Sequence, residues 1–189
     1  MLFPQHLDCY YLKAAKVITA EAVLNHHAVL VKHGKIMAIT EDCEPGIEII
    51  DLGEQSIFPG FIDLHIHGRE GCDIMDGNPE SLETISRSLA KHGVTGFVGT
   101  TVTADWDVSI QAYKNMASAY QKGLTGAQLL GAYNEGLFFA EAHKGAHNES
   151  FFLELTKQRF DEIYAACDGC LTSFALAPEL LESPDMIRY

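Results

Sequence analysis

The sequence predicts an α/β fold in which a series of strand–helix units follows a short all-β segment. Three observations carry this expectation. Before Pro59 the apolar runs are short and bounded by turn signals. After Pro59, runs of strand length alternate with helical stretches that carry their own start and stop residues. Four such units follow one another, which calls for a parallel sheet joined by right-handed crossovers.

In the opening segment the strand-like runs are Leu7 to Thr19, Ala28 to Thr40 and Ile47 to Leu52, with punctuation at His33-Gly34-Lys35 and Pro45-Gly46. VLVKHGKIMAI reads as two strands around a tight turn at Gly34, where a residue free to take positive φ is wanted. About fifty residues of hairpins make a thin layer that needs something to pack on. The expected organisation is therefore a small β portion over 1–57 and the strand–helix series over 58–189.

In the second part a strand from Phe58 to His67 precedes a helix with Asn78 as N-cap, Pro79 at its first position and Gly93 past its end. A second strand, Val94 to Thr103, leads to a helix opened by Asp105 and closed at Gly123. A third, Ala127 to Glu135, continues through a loop to a helix from about Ser150 to Ala166. A fourth runs from Leu171 to Leu176, before Ala-Pro-Glu. A closed eight-stranded barrel takes about 250 residues, and only 130 follow Pro59. The choices are an open four-stranded sheet or the N-terminal part of a longer chain. The second is favoured because Ser183 to Tyr189 reads as the first turn of another helix, with Ser183 or Asp185 near its start.

Thirteen basic against 26 acidic residues give a net charge of −13. Such a surface repels phosphates at long range, so neither a nucleic acid nor an anionic membrane is expected as a partner. With 47% hydrophobic residues the chain can bury a core. Five cysteines without a repeated spacing argue against a disulfide framework, and Met1 to His6 lacks a basic start and an apolar run. No apolar stretch approaches the roughly 20 residues that span a bilayer. A reduced, soluble, cytoplasmic protein is expected.

The most informative stretch is FPGFIDLHIHG. Side chains alternate along a strand, so Asp63, His65 and His67 share one face while Ile62, Leu64 and Ile66 share the other, which wants helices against it. The two imidazoles stand roughly 6.5–7 Å apart at Cα, close enough to converge on one metal ion at the strand's C-terminal end, where α/β enzymes place their sites. A bare HxH is weak by itself; its place at the head of the strand–helix series strengthens it. Leu129 to Gly136 is another strand ending in a carboxylate, Glu135. Two His plus one carboxylate with open positions is a common catalytic metal set. The loop Ala142-His143-Lys144-Gly145-Ala146-His147-Asn148 carries charge and backbone N–H groups suited to an anionic ligand, although such residues are ordinary in exposed loops.

Taken together, FPGFIDLHIHG, HGVTGFVGTTVT, LLGAYNEGLFF, HKGAHN and FALAPE resemble the N-acetylglucosamine-6-phosphate deacetylases of the amidohydrolase superfamily, from about Ala28 onward. The resemblance implies a metal-dependent (β/α)₈ TIM barrel, of which about the first half is present, with a small β-sandwich segment at the N-terminus. It implies a homodimer that removes acetate from a phosphorylated N-acetyl amino sugar, using one or two divalent ions, zinc or alternatively iron. His65, His67 and Glu135 match the metal-binding positions; Ala146 and His147 match the substrate-contacting pair. The family's proton-transferring aspartate falls on a late strand, beyond Tyr189, so the catalytic residue is unknown within this stretch and the stretch alone is expected to be inactive. Two departures, Tyr133 where many members have His and Leu137 where Pro commonly follows Glu-Gly, leave N-acetylgalactosamine-6-phosphate open as substrate. Leu137 also predicts a less rigid loop.

Two other readings compete. Another amidohydrolase would share the HxH but not the KGAH loop, and a non-catalytic half-barrel scaffold would have to protect its sheet edges. Cys167-Asp168-Gly169-Cys170 lacks the second pair a structural zinc site needs and is read as a helix end capped by Gly169. No phosphate-binding glycine loop is present, so no nucleotide cofactor is implied.

Overall fold

The structure is a computed structural model and describes residues 7–181 and 185–189. The expectations placed on Met1 to His6 and on Ser183 lie outside the described residues. The chain forms two compact units, Met1–Pro59 and Gly60–Tyr189.

The first unit holds strands β1 (Cys9–Lys13), β2 (Lys16–Ile18), β3 (Val23–Asn25), β4 (Ala28–Lys32), β5 (Lys35–Thr40), β6 (Glu48–Asp51) and β7 (Ser56–Ile57). They make two sheets, in spatial order β5-β4-β1-β6 and β3-β2-β7. The β4–β5 hairpin pairs Lys32 with Lys35 and turns through His33 and Gly34, at φ 50° and 72°. Two positive φ values in a row give the turn whose twist matches the flanking strands. Val17 of one sheet and Val29 and Val31 of the other form a shared core, with Tyr10, Leu12, Leu24 and Ile57 packed on it.

The second unit contains β8 (Phe61–Ile66), β9 (Gly68–Arg69), β10 (Cys72–Asp73), α1 (Pro79–Lys91), β11 (Val94–Thr100), α2 (Trp106–Lys122), β12 (Gln128–Asn134), α3 (Lys157–Cys167), β13 (Leu171–Phe174) and α4 (Asp185–Arg188). Its main sheet is parallel and ordered β13-β12-β11-β8. Each strand neighbours the next along the chain, without the reversal of a doubly wound sheet; with crossovers of one hand, this order carries the helices to one face.

The helices form where the apolar spacing and caps place them. Asn78 accepts the Ser81 N–H at 2.9 Å, Pro79 occupies the first turn, and Leu82, Ile85 and Leu89 fall on one buried stripe of α1. α2 buries Ala112, Tyr113 and Met116 and stops at Gly123. These side chains meet Phe97 of β11, Leu129 and Ala132 of β12 and Ile163 of α3 in a single core.

Three details differ from the sequence reading. α3 starts at Lys157 rather than near Ser150, because Thr156 caps it by accepting the Arg159 N–H at 3.3 Å. Ser150 instead lies in a short 3₁₀ turn capped by Asn148, and Leu153 and Leu155 pack on the core ahead of the helix. At the far end of α3 the left-handed cap residue is Asp168, φ 41°, with Gly169 following it. Third, Ile62 and Leu64 are 59% and 67% exposed. β8 is the outer strand of the sheet, and only Ile66 of its apolar face packs on the core.

Cys167 and Cys170 are fully buried, and the hydrogen bond between the two thiols, together with burial, pushes the Cys167 thiol's pKa up. That holds it protonated and unreactive.

Candidate metal centre

Parallel strands bring their C-terminal ends to one rim, and the predicted site residues gather there. Nε2 of His65 lies 3.0 Å from Oε2 of Glu135, and Nε2 of His67 lies 3.2 Å from the same oxygen. The two imidazole nitrogens are 3.3 Å apart. Glu135 comes from the end of β12, so the fold joins residues separated by 70 positions.

The hydrogen bonds behind these groups define what they offer. Nδ1 of His67 is 3.2 Å from the carbonyl oxygen of Thr100, the last residue of β11. A carbonyl only accepts, so Nδ1 carries the proton and a neutral His67 presents its Nε2 lone pair to the carboxylate. A lone pair facing an anionic oxygen at 3.2 Å requires a proton or a cation between them. Ligand atoms held 2.0–2.2 Å from a tetrahedral zinc stand roughly 3.3–3.6 Å apart, close to the separations here. The imidazole and carboxylate donors, with one imidazole already oriented by a backbone carbonyl, thus fit a divalent cation. Main-chain contacts fix the segment further: the Ile74 N–H donates to the His67 carbonyl at 2.7 Å, and the His65 N–H donates to Oδ1 of Asp63 at 3.1 Å. The Tyr133 ring meets His65 edge-on, with centroids 5.2 Å apart.

Glu135 has its own support, which the sequence reading missed. Its N–H donates to Oγ1 of Thr101 at 3.1 Å. Thr101 in turn lies 3.3 Å from the hydroxyl of Tyr113, which donates to Oδ1 of Asn134 at 2.5 Å. Asn134 closes the chain by donating to the Ala175 carbonyl at 3.4 Å. Burial pushes the Tyr113 phenol's pKa well up, which keeps its proton available as a donor. The only signal in the sequence was the run of Thr100, Thr101 and Thr103 at a strand end.

The KGAH loop divides. His147 reaches the cluster, with Nε2 3.7 Å from Oε1 of Glu135. Ala146 is exposed in the same turn. Lys144, predicted to contribute positive charge, pairs its ammonium with Glu149. Leu137, expected to loosen the segment after Glu135, is 1% exposed, and its carbonyl accepts the Leu153 N–H at 2.8 Å.

No family profile matches the chain. Individual relatives do. An N-acetylglucosamine-6-phosphate deacetylase of Vibrio furnissii is 39% identical over 97% of this chain and 46% of its own length. An N-acetylgalactosamine-6-phosphate deacetylase of Escherichia coli O157:H7 is 35% identical over 95% of this chain and 47% of its own length. The crystal structure of N-acetylglucosamine-6-phosphate deacetylase from Pasteurella multocida superposes with a TM-score of 0.84 at 27% identity, covering 95% of this chain and 48% of that one. The chain spans about half the length of the curated relatives it matches. Its sequence, its fold and the order of its motifs agree: over nearly its whole length the chain is similar to the N-terminal part of N-acetylglucosamine-6-phosphate deacetylases.

Proposed function

We propose that this chain supplies the metal-binding part of a hydrolase that removes acetate from an N-acetyl amino sugar 6-phosphate, with N-acetylglucosamine-6-phosphate as substrate. The observation that carries this reading is the convergence of His65, His67 and Glu135, whose ring nitrogens and carboxylate oxygen lie 3.0–3.3 Å from one another. The names of the relatives support the substrate class. Residues 58–189 are the first half of a (β/α)₈ barrel, a reading supported by the sequential order of the parallel strands. Residues 1–57 are a portion of a small β-sandwich, supported by the two sheets and their shared core. The complete protein is a cytoplasmic homodimer holding zinc, or iron in its place, at one or two ions per subunit.

A divalent cation at this site supplies Lewis acidity, which makes water nucleophilic at neutral pH and stabilises charge developing on the acetamide oxygen. His65, His67 and Glu135 hold that cation. Ala146 and His147 face the sugar, with His147 offering a ring nitrogen over the Glu135 carboxylate. The proton for the leaving amine comes from an aspartate outside residues 1–189, so this stretch alone does not turn over.

The test is elemental analysis of the purified protein that contains this chain, together with acetate release from N-acetylglucosamine-6-phosphate and its galacto epimer. Bound zinc or iron with acetate release supports the reading, and a preference for the galacto epimer moves the substrate to that sugar. Protein that holds no divalent metal after metal-replete expression and releases no acetate overturns it.

A further inference from the structure

Beyond the metal cluster, three segments meet at His147. Oγ1 of Thr103 lies 2.6 Å from its Nδ1. Thr103 is only 9% exposed, and the His147 side chain is 13% exposed. The Phe139 ring packs edge-on against the imidazole, with centroids 4.9 Å apart. Gly136, at φ +105°, leaves room for the pair: a Cβ there would stand 2.1 Å from Oγ1 of Thr103 and 2.6 Å from Nδ1 of His147. Oxygen, imidazole and peptide are therefore fitted to one another, not merely adjacent on an open surface.

The two ring nitrogens have different neighbours: Nδ1 lies against the Thr103 hydroxyl, and Nε2 lies at the rim, 3.7 Å from Oε1 of Glu135. In the neutral tautomer whose Nδ1 accepts, the Thr103 hydroxyl is the donor and Nε2 carries the proton. We propose that Thr103 is a positioning residue whose hydroxyl donates to Nδ1 of His147, fixing the ring as an Nε2–H donor aimed into the site at an acceptor oxygen of the bound sugar phosphate. The ligand part of this inference rests on the functional reading above; the link between Thr103 and the ring does not. Thr103 touches none of His65, His67 or Glu135 through its hydrogen bond, so its effect falls on ligand binding and leaves metal binding alone.

The experiment uses the protein that contains this chain, as wild type, Thr103→Val and Thr103→Ser. Long-range ¹H–¹⁵N correlation spectra of histidine-labelled protein report which ring nitrogen of His147 is protonated, with His147→Gln providing the assignment. Calorimetry with glucosamine-6-phosphate reports ligand affinity, and elemental analysis reports metal. The wild type is expected to show the Nε2–H form. Thr103→Val, which keeps the shape without the hydroxyl, is expected to lose that single tautomer and about three- to tenfold in affinity, the range for one hydrogen bond. Its metal content stays at the wild-type level, and Thr103→Ser restores both tautomer and affinity. A wild-type ring protonated on Nδ1, an unchanged tautomer in Thr103→Val, or failure of serine to restore it overturns the proposal. If the wild type binds no amino sugar phosphate, the functional reading fails at that arm, and the spectra alone decide the role of Thr103.

Discussion

β8 and β11 lie side by side and run the same way, yet they are built oppositely. The last five residues of β11, Gly96 to Thr100, are all buried, with Phe97 fully enclosed between α1, α2 and the sheet. β8 leaves Phe61, Ile62 and Leu64 more than half exposed. Within residues 1–189 the strand leading to His65 and His67 is thus the lightly buried one, as befits a strand whose second neighbour in the proposed barrel lies outside this stretch. The division works because the sheet connects them: the Thr100 carbonyl at the end of β11 orients His67 at the end of β8. Metal-ligand placement and fold stability should therefore separate experimentally.

The strongest test of that separation is at the ligands. His65→Ala or Glu135→Ala is expected to weaken metal binding more than about a hundredfold, beyond what outer partners of metal ligands usually contribute. Both side chains are in part solvent-accessible, so the urea midpoint of the metal-free protein should hardly move. A large drop in that midpoint would show that the rim also supports the fold. The converse is Phe97→Ala, expected to cost about 3–5 kcal/mol in urea unfolding, through lost burial and the cavity left behind. The folded fraction should still bind metal at wild-type stoichiometry.

A smaller effect should come from Tyr113→Phe, which leaves Oδ1 of buried Asn134 without its donor. The expected loss is about 1–3 kcal/mol, again read from urea unfolding, with some weakening of metal binding because Asn134 precedes Glu135. That variant sits between the two classes and sharpens the boundary. The smallest effect concerns Asp76, where the Asp73 N–H and the Ser81 hydroxyl hold the carboxyl below its usual range. A lowered folded-state pKa gives stability that is present above the unfolded value and lost as pH falls through the folded one. Thermal melts of Asp76→Asn should therefore lose less stability than wild type on acidification below about pH 4. A wild-type protein no more acid-sensitive than the variant would show that this cap contributes nothing.

Much of this arrangement was legible in the sequence, for local reasons. Alternation along a strand put His65 and His67 on one face, and Glu135 stood at a strand end before a glycine. Asn78-Pro79 and Gly123 marked helix ends because caps depend on neighbouring residues. What escaped depends on distant partners. The Tyr113–Asn134 bond spans 21 positions and the Thr103–His147 bond 44, and a threonine hydroxyl carries no sign of which backbone or ring it will meet. The start of α3 was misplaced for a related reason. Leu153 and Leu155 look like the first apolar positions of a helix, but they serve the core from the segment before it.

The two ring-orienting contacts at this rim differ in what heredity can do to them. His67 is steered by a main-chain oxygen, a group that every codon at position 100 encodes alike. His147 is steered by a side-chain hydroxyl, which a single missense change at position 103 can erase. Mutational drift thus has access to one of these contacts and none to the other: a change at position 103 can release the His147 ring, while the aim of His67 stays beyond the reach of substitution at its supporting residue.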